Sequence, residues 1–213
     1  MIINLIKKDL RACFKVDIKT IAKLLVGILI FSFVLLPVST IAIPLFLSYI
    51  FIFRSFYLDE LNKTDYFFNS MPIDKEDVVY AKYVFSMIVI VVSMLFTFVY
   101  SNVLKGIWYI DLVNIEIITM TISIVLILVS ICLPIAFKYG YNKSYVIVNF
   151  LVIAVALVTI FSAFRPRAEM SIEGRVIPFI EPVYIVAVGV ALVLYVVSMF
   201  VSIKIYAKKE IAN

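Results

Sequence analysis

The chain has 213 residues, 65% of them hydrophobic and only 15% charged, where a soluble domain carries roughly 45 to 50% apolar residues; this is the composition of an integral membrane protein. Its net charge of +5 is therefore read as basic loops facing anionic lipid on the cytoplasmic side, not as a nucleic-acid surface. The absence of histidine excludes intramembrane metalloprotease and His-dependent hydrolase chemistry, and the two cysteines, Cys13 in a basic segment and Cys132 in an apolar run, read as packing residues and not as a disulfide framework.

The first twenty residues carry Lys7, Lys8, Arg11, Lys15 and Lys19 and show neither the apolar core nor the cleavage site of a secretory leader. At 100° per residue, Ile2, Ile3, Ile6, Leu10, Cys13 and Phe14 fall on one face and those cations on the opposite one. Residues 1–18 are thus expected to form an amphipathic helix lying in the membrane plane. Two roles are open to it: a plain interfacial anchor, or a bracket that also touches a cytoplasmic partner.

The stretch 24–53 is uncharged, too long for one ordinary span and short for two, with Pro37 and Pro44 near its middle. Read as a tight hairpin it gives helices 19–36 and 39–58, with Lys23 and Arg54 reaching for one interface. Four later apolar runs, 83–104, 117–137, 144–164 and 182–203, are each long enough to cross a bilayer core. Six spans with a cytoplasmic N-terminus leave only Lys105, Arg165, Arg167 and Arg175 of the 19 basic residues outside, whereas five spans divide them almost equally. The positive-inside rule selects six.

Between the second and third spans runs "LDELNKTDYFFNSMPIDKEDVVYAKY", residues 58–83, expected in the cytoplasm. It gathers Asp59, Glu60, Asp65, Asp74, Glu76 and Asp77 with Tyr66, Phe67 and Phe68. Asp74 sits at an N-cap, with Asp77 at N3 and Ile73 and Val78 placed as a hydrophobic staple, so the third span is expected to begin in the cytoplasm. Pro72 ends whatever precedes it, which predicts a separate short helix over 59–69 across the cytoplasmic end of the bundle. Such a helix is a docking element for a soluble partner; the alternative is a structured loop with none.

Ser93, Thr97, Asn102, Ser123, Ser130 and Asn149 are polar but uncharged residues inside the spans, and no charge sits at mid-membrane depth, so neither a proton relay nor an ion-coupling site is expected. Ala187 and Ala191 make one small-xxx-small pair, read as ordinary helix packing. The outer segment 165–181, "RPRAEMSIEGRVIPFIE", sets Arg165, Arg167 and Arg175 against Glu169, Glu173 and Glu181, and reads either as an external loop or as a gate over an exit pathway. The chain has no GxxxxGK[ST] phosphate loop, no GxSxG elbow and no CxxC pair. It is not expected to be an enzyme or to hold a cofactor, so any energy must come from another subunit.

The basic "LIKKDL" helix, six spans in 213 residues and above all "ELNKTDYFFNSMPIDKEDVVYAKY" resemble bacterial ABC-2 type permeases, the membrane subunits of ATP-binding-cassette exporters, and in particular the small ones that export amphipathic peptides such as lantibiotics and phenol-soluble modulins. The resemblance implies one all-α polytopic permease domain over 1–213 in a bacterial cytoplasmic membrane, both termini cytoplasmic. It implies that 59–82 is the coupling segment, in which Asp59, Glu60, Asn62, Lys63, Thr64, Asp65, Tyr66, Phe67 and Phe68 seat on an ATPase and Pro72 closes the exit turn. Lys7, Lys8, Arg11 and Lys15 would belong to an interface helix flanking the same ATPase, and Arg165, Arg167, Glu169, Glu173 and Arg175 to an outer gate between the last two spans. Arg165-Pro166-Arg167 is more cationic than the family pattern there. The implied partners are two ATPase copies carrying ATP and Mg, a second permease chain, identical or paralogous, and an amphipathic peptide or lipid-like substrate. Two alternatives stand beside this reading: the substrate-capture subunit of a vitamin importer, although 19–36 lacks the AxxxA pattern by which those dock, and an accessory or immunity protein with no pathway.

Overall fold

The computed structural model describes residues 2–14, 36–64, 74–108, 115–164 and 180–208. Five helices occupy them: α1 (Ile2–Phe14), α2 (Leu36–Leu61), α3 (Lys75–Trp108), α4 (Ile115–Phe164) and α5 (Ile180–Ala207). Among the described residues all the regular structure is helical, and four of the five helices are long and apolar enough to cross a membrane. The expected first span, but for its last residue, and the expected outer segment 165–181, but for residues 180 and 181, which belong to α5, lie outside the described residues.

Local sequence explains most of the boundaries. Pro37 falls in the first turn of α2, where its missing N–H leaves no bond unmade. Pro44 lies inside the same helix without ending it; in a membrane a neighbouring helix can cover the backbone group a proline frees, and Pro44 is fully buried. α3 begins at Lys75, directly after Asp74, with Glu76 and Asp77 in its first turn, as the capping pattern requires. The Asp77 N–H donates to the Asp74 carbonyl at 3.0 Å.

Pairwise contacts give the directions. α3 runs antiparallel to α2: Lys82 meets Ser55 at one end, Ser93 Oγ lies 2.8 Å from Ser48 Oγ midway, and Thr97 shares a cleft wall with Thr40 near the other end. α5 runs antiparallel to α3, with the Tyr83 hydroxyl 2.7 Å from Ser198 and 2.8 Å from Ser202. α4 is two arms joined at Gly140, whose φ of 73° and ψ of 178° are not helical. Its first arm follows α2, from Thr121 in the cleft with Thr40 to Phe137, whose ring stands 5.3 Å from that of Phe56. Its second arm returns, from Tyr141 beside Tyr57 at 5.1 Å to Asn149, which accepts a hydrogen bond from the Tyr49 hydroxyl. The chain therefore reverses at Gly140, in an extended conformation of positive φ that glycine takes without steric cost.

A polar seam holds α3, α4 and α5 together. Ser198 donates its one proton to the Ser130 carbonyl at 2.5 Å, so Tyr83 must donate to Ser198 and accept from Ser202. The Tyr195 hydroxyl donates to the Tyr83 carbonyl at 2.7 Å and lies 2.6 Å from Ser86 Oγ, with the two tyrosine rings 5.1 Å apart. In lipid, where apolar contact alone does not drive helices together, such bonds fix which faces meet. Of the polar residues marked in the sequence, Thr97, Asn102, Ser123 and Ser130 donate to carbonyls of their own helices one turn back.

Candidate functional site: a charged joint at one end of the bundle

At the end of the bundle where α2 finishes and α3 begins, α1 lies across both. Leu5, Asp9 and Cys13, spaced four apart, are its buried residues. Ile2, Ile6 and Leu10 pack beside them, while Ile3 is 66% exposed, so the face turned to the protein is rotated from the expected apolar stripe and includes an acid. The Cys13 thiol points at the Phe51 carbonyl, 3.5 Å away, and seats α1 on α2. Lys7 and Arg11 are exposed, Lys8 of the expected cationic face is instead drawn to Asp9 and Asp59, and Lys15 lies outside the described residues.

Four charges meet under α1. Lys8 Nζ lies 2.7 Å from Asp59 and 3.3 Å from Asp9. Lys82 Nζ lies 3.1 Å from Asp9 and also pairs with Asp59 and with the Ser55 hydroxyl. Its ammonium stands 5.0 Å from the Phe56 ring centroid, within cation–π range. Among the described residues the two cations and two carboxylates paired here balance. That balance matters because Lys82 and Asp9 have side chains only 4% exposed, and an unpaired charge there is not tolerated.

The next residue of α2 addresses a different helix. Glu60 accepts from the Tyr141 N–H at 2.6 Å, from the Asn142 N–H at 3.2 Å and from the Asn142 side-chain amide. These backbone groups open the second arm of α4, where the first N–H groups lack helical partners and the dipole favours an anion. The turn is shaped for the carboxylate: a Cβ on Gly140 would come within 3.3 Å of Glu60 Oε2.

α2 then ends. Asn62 N–H bonds the Leu58 carbonyl at 3.0 Å, Lys63 N–H bonds the Glu60 carbonyl at 3.1 Å, and Lys63 takes a φ of +50°. Residues 59–61, expected in a separate helix over 59–69, instead belong to α2, which continues through Leu61 and breaks at Asn62–Lys63. Asp59 is turned into the ion cluster and Glu60 onto α4; Asn62 and Lys63 are exposed and Thr64 is buried. Asp65, Tyr66, Phe67, Phe68 and Pro72 lie outside the described residues, as do Arg165, Arg167, Glu169, Glu173 and Arg175.

Sequence reasoning missed Asp9 and Lys82 as members of this site. The signals were present: Asp9 sits in register with Leu5 and Cys13, and Lys82 stands in the stripe Val78, Val79, Phe85, Ser86 that faces inward along α3.

At the far end, Thr40, Met94, Thr97, Phe98, Ile117 and Thr121 line an open, largely apolar cleft of about 220 Å³ between α2, α3 and the first arm of α4. A family model described as an ABC-2 family transporter protein matches residues 4–207. No curated protein and no solved structure gave a match.

Proposed function

The chain belongs to the ABC-2 family of transporter proteins, and on that premise we propose that it is the permease subunit of an ATP-binding-cassette exporter, moving an amphipathic substrate, in the first place a peptide, through a bacterial cytoplasmic membrane. The full arrangement is six spans with both termini in the cytoplasm, two permease chains side by side and two ATPase subunits beneath them. The observation that carries this reading is the charged joint. The segment that leaves α2 at Lys63 springs from a turn bonded at once to α1, α3 and the second arm of α4, so a partner gripping that segment moves the bundle and not a loose loop. ATP-driven approach of the two ATPases would pull on the joint and tilt the helices rooted in it.

The substrate class is supported by the walls. α3, α5 and the second arm of α4 present exposed aliphatics and aromatics such as Val92, Phe98, Phe150 and Val193, and the cleft between α2 and α3 offers methyl, phenyl and hydroxyl groups but no charge. Such surfaces suit a molecule that enters sideways from lipid with its apolar face leading. The test is reconstitution of the chain with its ATPase in liposomes. Amphipathic peptides are expected to raise ATP turnover; a panel of such peptides that leaves turnover unchanged would overturn peptide export.

A further inference from the structure

Asp59 and Glu60 are consecutive in the last turn of α2, yet their carboxylates go to different helices: Asp59 to Lys8 of α1 and Lys82 of α3, Glu60 to the start of the second arm of α4. Neighbours on a helix point 100° apart, so a single turn addresses both sides. Immediately beyond it the helix breaks at Lys63. We propose that Asp59 and Glu60 are positioning residues that divide one movement of the segment after Leu61 into two branches, Asp59 drawing α1 and α3 and Glu60 drawing the second arm of α4.

The chemistry of the two branches supports the division. A buried ion cluster is poor evidence for stability, since apolar replacements of such clusters are often neutral; its best-attested use is to fix register between elements. Here it fixes three elements to one another. Glu60, by contrast, is exposed and holds a helix start through charge-assisted bonds to two consecutive N–H groups, next to a glycine whose missing side chain leaves it room. Among the described residues the partners of Asp59, on α1 and α3, and of Glu60, on α4, are distinct, so each branch can be cut alone.

This inference rests on the permease reading, and the experiment separates the two. The full chain with its ATPase is placed in nanodiscs, with spin-label pairs at 138 and 150, reporting the second arm of α4, and at 138 and 76, reporting α3; Lys138, Phe150 and Glu76 are exposed. The readout is the change in each distance on adding ATP, because a merely structural clasp shifts the nucleotide-free and ATP-bound distances together. Glu60→Ala is expected to cut the 138–150 change at least fivefold and to leave the 138–76 change within twofold, with Glu60→Gln, which keeps an acceptor oxygen, restoring most of it. The charge-balanced Asp59→Asn/Lys82→Met is expected to do the reverse. If both variants alter both distances alike, or neither, the division is wrong. If ATP changes no distance in the wild type, the permease reading falls and this inference with it.

Discussion

Lys82 and Asp9 meet 3.1 Å apart with both side chains 4% exposed; each stands in the inward register of its own helix, but neither local sequence names the other as its partner. Removing one charge of a buried pair costs about 3–5 kcal/mol because the other is left uncompensated, whereas removing a balanced set is often close to neutral. Lys82→Met is therefore expected to lower the melting temperature of the detergent-solubilised protein sharply. Asp59→Asn/Lys82→Met, which leaves Lys8 and Asp9 to neutralise each other at 3.3 Å, should recover most of that loss. Equal melting temperatures for the two variants would show that the charges are not coupled.

The turn at Gly140 gives a second prediction. Its φ of 73° with ψ of 178° lies in a region nearly reserved for glycine and costs a side-chain-bearing residue roughly 1–3 kcal/mol, and a Cβ would also press on Glu60 Oε2 at 3.3 Å. Gly140→Ala should destabilise the protein by somewhat more than the backbone term alone. In a Glu60→Ala background the excess should vanish, which thermal unfolding of the four proteins of the cycle can measure.

Lys63 offers the opposite sign. It holds a left-handed φ of +50° at the end of α2 with an exposed side chain, a position glycine occupies freely. Lys63→Gly should stabilise the protein by up to about 1 kcal/mol, the left-handed strain relieved less the entropy glycine adds to the unfolded chain. A fall in melting temperature would mean that the lysine side chain contributes more than its backbone costs.

The seam of α3 and α5 is worth less per bond. Interhelical hydrogen bonds in membranes average about 0.6 kcal/mol with a maximum near 1.7. Tyr83→Phe removes the hydroxyl set between Ser198 and Ser202, two such bonds, while leaving the ring against Tyr195, so a loss of about 1 kcal/mol, and at most about 3, is expected. A loss as large as that of Lys82→Met would mean that the seam, and not the ion cluster, is the joint that matters.

These contrasts show which features a single sequence exposes. Uncharged runs and the Asp74 cap marked where α3 and the two arms of α4 lie, because span length and caps are local properties. The partners of Lys82, Glu60 and Tyr83 were not legible, since each lies more than 50 residues away along the chain except the pairing of Lys82 with α2. The internal partners of Asp59 were hidden for a related reason. An acid at the end of an apolar helix looks the same in sequence whether it faces solvent or a lysine on a neighbouring helix.

The commitment of Asp59 and Glu60 to internal partners bears on the proposed ATPase contact. With those two carboxylates occupied, the contact is proposed to lie in the segment beyond the break at Lys63, where the sequence places Asp65, Tyr66 and Phe67. An acid beside two aromatics can bury apolar area in a groove while orienting on a cation at its rim, the pattern of interface residues that carry most of the affinity. Alanine at Asp65, Tyr66 and Phe67 together is expected to weaken ATPase binding at least a hundredfold, about 2.7 kcal/mol, in a chain that melts as the wild type does. Asp59→Asn/Lys82→Met should bind the ATPase normally and fail only in transport per ATP. Copurification of each variant with the ATPase decides the matter: a triple-alanine chain that still holds its partner would move the docking contact away from this segment, and a balanced variant that loses the partner would return Asp59 to the interface.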